Sequence, residues 1–456
     1  MGLFDRHRAL IAPALTVKVT GRVCEVTGLT IIARSLPVPT GTLCRIEPGA
    51  SVPIEAQVVG FAGDRTVLMP LADPRGVTEG DAVVSTADMQ HVGVGRQMLG
   101  RVVDGMGRVV DDRGPFTVET QYPVFADAPL PMSRCPIDRA LPTGIAALDL
   151  MLTLGGGQRV GVFAGTGVGK SVLMGMIARN TQADVTVVAL VGERGREVGD
   201  FLRKDLGPDG LERTVMVVST SNESPVMRVR ACFLATAVAE YFRDQGADVL
   251  LLMDSVTRMA MAQRQIGLAA GEPPATKGYP PSVFAQLPVL LERAGRTSRG
   301  SITGLYTVLV EGDDISEPIS DAVRGALDGH VWLSRDLANR GQYPAVAVLE
   351  SISRLMPDLV TPEHLEAVAN IRRVMAVWND IEDLVNIGAY AAGSNPEFDL
   401  AIAMKPRFDE LLAQGIAERA GFDESRAKLL ALNEEMSALR RKLESQPPLP
   451  AQAAGA

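Results

Sequence analysis

The spacing of apolar and polar positions changes twice along this chain, and each change marks a new kind of element. Between Val17 and about Ser85 short alternating runs prevail, such as Val17-Lys18-Val19-Thr20-Gly21-Arg22-Val23 and Ile54-Glu55-Ala56-Gln57-Val58, separated by Pro37-Val38-Pro39 and Gly63-Asp64. Alternation turns one face of each strand inward, and strands this short with turn residues between them predict a small β-barrel over residues 17–88. Near-continuous apolar runs then follow at 158–163, 185–191, 214–219, 248–253, 302–310, 329–333 and 345–349, alternating with helical segments. Strands apolar on both sides belong to a parallel sheet covered on both faces, so an α/β domain is expected over 89–361, entered through a Pro-rich stretch from Ala126 to Pro142. From Pro362 the period becomes helical, with Leu365, Val368, Ile371, Met375, Trp378, Ile381 and Leu384 on one side, which predicts a helical domain over 362–442. Leu429, Leu432, Met436, Leu439 and Leu443 form a seam of about two heptads, too short for a coiled coil of its own.

The two ends read differently. Residues 1–12 suit a short amphipathic helix, with Leu3, Phe4, Leu10 and Ile11 opposite Arg6 and Arg8, closed by Pro13. A helix this short is marginal alone, so residues 1–16 are either a frayed terminus or a docking segment that a partner orders. Residues 443–456, with the sequence QPPLPAQAAGA at their end, are expected to be a disordered tail.

Composition narrows the field. At ~150 residues per domain, 456 residues suit three domains, as the pattern does. With 45 basic against 54 acidic side chains the net charge is −9, which argues against a general affinity for nucleic acid or anionic lipid. The four cysteines are scattered without a CxxC pair, so neither a compact zinc site nor a disulfide framework is expected. No signal-peptide pattern opens the chain and no apolar run is long enough for a membrane span, so a soluble, cytoplasmic protein is expected.

One segment carries explicit chemistry: Ala164-Gly165-Thr166-Gly167-Val168-Gly169-Lys170-Ser171. It follows an apolar strand and opens a helical run, the context a phosphate-binding loop requires. Gly165, Thr166, Gly167, Val168 and Gly169 let consecutive backbone N–H groups wrap a phosphate at a helix N-terminus. Lys170 supplies charge to the β- and γ-phosphates, and the Ser171 hydroxyl can ligate magnesium, which implies ATP and Mg2+ as ligands. The strand 249–253 ends in Asp254, placed to hold that magnesium through water. A third strand, 185–191, runs into Gly192-Glu193-Arg194-Gly195-Arg196-Glu197. Hydrolysis needs a group that polarises the attacking water, and Glu193 leaves its strand at the correct sheet edge; pattern alone equally allows a charged, solvated turn.

At these residues the chain resembles the hexameric ATPases of type III protein export, relatives of the catalytic subunits of rotary ATP synthases. The resemblance runs from about Val17 to about Leu430. Besides the phosphate loop and the Glu193 segment it rests on Gly100-Arg101-Val102-Val103-Asp104, Met253-Asp254-Ser255-Val256-Thr257-Arg258 and Gly278-Tyr279-Pro280-Pro281-Ser282. It continues through Leu291-Glu292-Arg293-Ala294-Gly295, Glu311-Gly312-Asp313-Asp314, Tyr343-Pro344-Ala345 and Ser351-Ile352-Ser353-Arg354. It implies a β-barrel, a RecA-like P-loop ATPase core and a C-terminal helical domain, assembled as a ring of six with ATP between subunits. Under it Glu193 matches the catalytic carboxylate, and Arg194 and Arg258 match positions near the γ-phosphate. Arg354 matches an arginine finger offered to the neighbour's nucleotide, and Tyr343 matches an aromatic that packs on adenine. Read without the family, Arg354 is a surface charge and Tyr343 a core-edge residue. The segment Glu311-Gly312-Asp313-Asp314 looks like a loop lining the ring's channel; an acidic turn capping the next helix fits it too. Ala146, Val289, Gln342 and Ala347 depart from the family pattern without removing a catalytic group.

The function this implies is ATP hydrolysis driving delivery or unfolding of export substrates, in a flagellar rather than a virulence setting. The implied partners are a regulatory protein at the N-terminal helix, a central stalk protein, export chaperone–substrate complexes and a membrane export platform. The expected location is cytoplasmic, peripheral to the inner face of the membrane. The alternatives are an injectisome ATPase, a rotary ATPase subunit, an RNA-translocating hexamer and a non-catalytic nucleotide-binding subunit. The sparse aromatics of the first eighty residues, Phe4 and Phe61, argue against RNA stacking.

Overall fold

The computed structural model describes residues 18–445 apart from 50, 51, 89, 311 and 313–316. The N-terminal helix expected at 1–12 and the acidic channel loop at 311–314 therefore lie outside, or almost outside, the described residues.

Six strands, β1 (Thr20–Thr27), β2 (Thr30–Arg34), β3 (Thr42–Glu47), β4 (Ile54–Ala62), β5 (Arg65–Pro70) and β6 (Ala82–Asp88), form a closed antiparallel barrel in the order β1-β2-β5-β4-β3-β6. The alternation does what it predicts. In β4, Ile54, Ala56 and Val58 are buried, and Ala56 and Val58 meet Val23, Ile31, Ile46, Leu68 and Val83 in the barrel core. A two-stranded ribbon of β7 (His91–Val94) and β9 (Thr120–Pro123) follows. Between them the glycine-rich segment contributes β8 (Val102–Val103), a two-residue strand parallel to the edge of the main sheet.

The main sheet is built from β10 (Arg159–Ala164), β11 (Val185–Val191), β12 (Thr214–Ser219), β13 (Asp248–Asp254), β14 (Gly295–Arg296), β15 (Ser301–Leu309), β16 (Gly329–Leu333) and β17 (Ile352–Ser353), together with β8. Its order is β17-β16-β10-β15-β13-β11-β12-β8, parallel throughout except for β17 and for β14, which pairs with β15. Both faces are covered, and successive residues divide between them. Val188, Leu190, Leu250 and Leu252 join one core, while Val187, Ala189, Leu251 and Met253 join the other.

The run 345–349 is not a strand, contrary to the expectation. It makes one isolated antiparallel bridge, Val346 to Leu333, and Val346 N–H turns back onto the Pro344 carbonyl at 2.8 Å. Burial gave it a strand-like composition, but its bends leave no ladder to extend, and β17 occupies the sheet edge instead.

The helices that matter for the site are α1 (Ala146–Met151), α2 (Lys170–Asn180), α3 (Gly195–Asp200), α4 (Pro225–Asp244), α5 (Val256–Ala269), α6 (Pro281–Leu291), α7 (Pro318–Ala326) and α8 (Arg335–Asn339). Three more, α9 (Pro362–Asn386), α10 (Pro396–Leu412) and α11 (Phe422–Glu444), form the C-terminal bundle. Thr361 and Asn395 cap α9 and α10, each followed by a proline in the first turn, where a missing N–H is harmless. The heptad seam is the buried face of α11: Leu429, Leu432 and Met436 are buried, with Leu439 and Leu443 packed beside them. Helix α11 continues to Glu444, so residues 443 and 444, expected in the disordered tail, are helical. The bundle shares one core with the α2 face of the sheet, through Met151, Leu154, Ile371 and Phe408.

On the other face Arg293 is fully buried. It donates to both carboxylate oxygens of Glu240 (2.9 and 2.5 Å) and to the Val124 carbonyl (2.5 Å), tying the end of α6 to α4 and to the connecting segment. Among the described residues no helix is long and apolar enough to cross a membrane.

Candidate nucleotide site

The phosphate loop leaves β10 at Ala164 and enters α2 at Lys170. Gly167 and Gly169 hold φ of +82° and +94°, left-handed values that a side chain resists. Thr166 and Gly167 are exposed, Val168 is buried, and Ser171 presents its side chain at the first turn of α2. The Lys170 ammonium is buried and paired with the Asp254 carboxylate, which also accepts from Thr307 Oγ1 at 2.8 Å. Asp254 ends β13, the second strand from β10, so parallel pairing alone brings loop and carboxylate together across β15.

Glu193 lies two residues beyond β11 on the same sheet edge, in a turn fixed by Gly192 N–H to Ser219 O (2.7 Å) and Ser221 N–H to Glu193 O (3.0 Å). Its carboxyl is half-buried and pushed up to about 7. Burial is the largest cause, followed by the hydrogen bond it shares with Glu197 and repulsion from Asp254; Lys170 and Arg258 pull the other way. Glu197, on α3, is held below its usual range by the same hydrogen bond.

Arg258 sits in the first turn of α5, half-buried, its side chain packed against Gly192 so closely that a Cβ there would lie 3.0 Å from it. Its Nε is buried and has no hydrogen-bond partner. Arg194 is far more open, its side chain 83% exposed and only loosely paired with Glu197 at 3.7 Å.

Tyr343 reaches the loop from another side. Its ring would lie 3.4 Å from a Cβ at Gly169, and it walls a cavity of about 660 Å³ together with Val172, Met176, Pro344 and Ile416. The segment 413–418, after α10, closes that cavity, and nothing in the sequence pattern pointed to it. Gln414 fastens the segment, donating to the carbonyls of Gly144 (2.8 Å) and Glu418 (3.0 Å) and accepting from Ala146 N–H (2.9 Å). Arg179 of α2 adds a bond to the Ile416 carbonyl at 2.8 Å. The only sequence signal was a break in helical period between 412 and 422, which shows a turn but not where it packs.

Arg354 is not part of this cluster. It follows β17, is exposed, and donates its N–H to Asp328 O just before β16. Since Val160 pairs with Gly329 and Ala164 with Leu333, the phosphate loop leaves the opposite end of these strands, about 13 Å away by strand rise.

The sequence comparisons agree with this architecture. Residues 144–353 match the model of the ATP synthase alpha/beta family, nucleotide-binding domain, and residues 360–431 match that of the T3SS EscN ATPase C-terminal domain. The flagellum-specific ATP synthase of Treponema pallidum is 51% identical over 431 residues, covering 94% of this chain and 96% of that one. The chain belongs to the ATP synthase alpha/beta family, among its flagellar and type III secretion ATPases. As a member of that family it is an ATPase with a RecA-like P-loop core between a six-stranded barrel and a helical C-terminal domain. Among solved structures, the assembled ATPase EscN from the enteropathogenic E. coli type III secretion system superposes with a TM-score of 0.86 at 41% identity, over 91% of this chain and 100% of that one. The same ATPase in complex with its central stalk EscO gives a TM-score of 0.83, with 41% identity and the same coverage.

Proposed function

We propose that this ATPase powers protein export of the flagellar type, hydrolysing ATP to ADP and phosphate between adjacent subunits of a six-membered ring. The observation that carries the reading is Glu193: a half-buried carboxylate with its pKa near 7, within electrostatic range of the phosphate-loop lysine and of Arg258. In that environment it takes a proton from the attacking water at neutral pH and holds it. The loop amides from Gly165 to Gly169 bind the β- and γ-phosphates, and Lys170 transfers its charge to them from Asp254. Arg258 supplies further positive charge, with Arg194 outside it. The base occupies the cavity walled by Tyr343. Arg354, remote from its own loop, serves the neighbour's nucleotide as a finger.

The ligands suit magnesium. The Ser171 hydroxyl and the Asp254 carboxylate are hard oxygen donors, and phosphate and water would supply the rest of the shell. When bound, Mg2+ neutralises charge on the phosphates.

The ring and a central stalk partner follow from the assembled EscN relatives. A regulator at residues 1–16, chaperone–substrate complexes at the C-terminal helices and a membrane export platform complete the reading, which places the chain in the cytoplasm at the inner face of the membrane. Flagellum-specific relatives at 51, 50 and 49% identity, against 45% for a type 3 secretion system ATPase of Xanthomonas euvesicatoria, favour the flagellum over an injectisome.

The test is a cell whose only copy carries Lys170→Ala. Purified, that variant should lose ATP turnover by about a hundred-fold or more, as removal of a charge-stabilising group does. Electron microscopy of the cells should show no flagellar filaments with other secretion intact. Filaments at wild-type number would move the protein to another export system, and full turnover would remove the catalytic assignment.

A further inference from the structure

Arg335 opens α8, on the strap that runs from Ser334 to Ala345, and its Nη1 donates to the backbone carbonyl of Thr166 at 3.1 Å. That carbonyl belongs to the peptide unit whose N–H is Gly167's, in the middle of the phosphate loop. Sterics do not fix this peptide. Thr166 and Gly167 are both exposed, and a Cβ built at Gly167 meets nothing within 4 Å. Glycine accepts φ of either sign, so rotation of the peptide plane would present the carbonyl where the amide should be. A carbonyl facing a phosphate oxygen repels it, whereas an amide binds it.

We infer that Arg335 is a positioning residue of the phosphate loop, locking the Thr166–Gly167 peptide with its carbonyl outward and its N–H toward the phosphates. A guanidinium donor also polarises the peptide, which strengthens the amide as a donor on the other side. The strap is anchored well enough to do this. Ser334 N–H donates to Ala345 O at 2.8 Å, Ser334 Oγ caps α8 at Leu337 N–H, and Tyr343 packs on Gly169 at the far end of the same loop. One short segment thus touches the loop at Thr166 and at Gly169.

The inference rests on the nucleotide site proposed above, and the experiment separates the two. Full-length protein, Arg335→Ala, Arg335→Lys and Lys170→Ala are titrated with ADP and with adenosine, and steady-state ATP hydrolysis is measured on the first three. Loss of a charged hydrogen bond predicts ADP binding about ten-fold weaker in Arg335→Ala, with adenosine binding unchanged. The amide holds phosphate equally in ground and transition states, so KM should rise about ten-fold while kcat stays within about two-fold. Arg335→Lys, which keeps a charged donor, should recover most of the loss. A purely structural role would weaken adenosine and ADP alike, and that result overturns the inference. So does unchanged ADP binding in Arg335→Ala when Lys170→Ala weakens it. If neither variant changes ADP affinity, the site reading itself fails. Arg335 is exposed, so truncation leaves the core intact. Should Arg335→Ala not fold, Arg335→Gln against Arg335→Lys gives the same contrast, neutral donor against charged.

Discussion

The role proposed for Glu193 comes from its surroundings. Burial and the shared hydrogen bond with Glu197 keep its proton on until about pH 7, while Lys170 and Arg258 limit the rise. A base must be ionised to accept a proton, so the sign is fixed: below about 7 the carboxyl is neutral and idle, above it the carboxylate works. The kcat/KM for ATP should therefore climb with pH through an apparent pKa near 7 and level off above it, measured by steady-state hydrolysis in the free enzyme's pH range. Glu193→Gln should remove that limb and about a hundred- to ten-thousand-fold of the rate. Glu197→Gln removes the carboxylate that accepts a hydrogen bond from the protonated Glu193, and should move the limb to lower pH. A profile flat from pH 6 to 8 in the unmodified protein would show that another group limits the reaction. Lys170 could be found from sequence by the phosphate-loop motif, and Asp254 and Glu193 were candidates because they lie at or just beyond the ends of β13 and β11, although pattern alone left Glu193 open to a solvated turn. Tyr343 and Arg354 could not, since an aromatic at a core edge and an arginine on a surface carry no local mark, and only the family resemblance singled them out.

At the scale of elements, the sheet was legible where two faces are both apolar and opaque where partners decide. The runs that became β10, β11, β12, β13, β15 and β16 were readable because burial on both sides leaves few polar positions. The run at 345–349 had the same composition but lacked a ladder, and β8 was too short to show a pattern at all. The cavity wall at 413–418 lines one cavity with a loop some 245 residues upstream, a distance that periodicity cannot bridge. Long-range ties of this kind hold the elements in register, and Arg293 is the largest fully buried side chain that makes one. Among the described residues its charge is paired with Glu240 alone, so truncating one partner strands the other in the core. Arg293→Ala should destabilise the protein by about 3–5 kcal/mol, whereas Arg293→Met with Glu240→Leu should recover most of that loss. Thermal melting followed by circular dichroism checks both. A double variant as unstable as the single one would mean that the lost bond to the Val124 carbonyl, and not the orphaned carboxylate, dominates.

The whole molecule is incomplete as an enzyme if Arg354 is needed for turnover, because its own phosphate loop lies at the other end of β10 and β16. A head-to-tail ring would resolve this by repetition: each subunit would present its β17 edge to the next one's loop, and closure of the ring would leave no loop without a finger. The arrangement predicts a particular kind of rescue. Arg354→Ala should bind ATP normally and hydrolyse it poorly, about a thousand-fold or more slowly, since arginine fingers contribute on that order. Lys170→Ala should be inactive for the opposite reason, with its finger intact. Mixed in equal amounts under conditions that assemble rings, the two inactive proteins place an intact loop against an intact finger at about a quarter of the interfaces. Hydrolysis should then return to a corresponding fraction of the wild-type rate, and a dilution that dissociates the rings should abolish it. If Arg354 acted within its own subunit, every active site in the mixture would still lack one of the two groups, and the rate would stay at that of the separate variants. Mixed rings, seen by native mass spectrometry, that hydrolyse no faster than either parent would therefore overturn the intersubunit role.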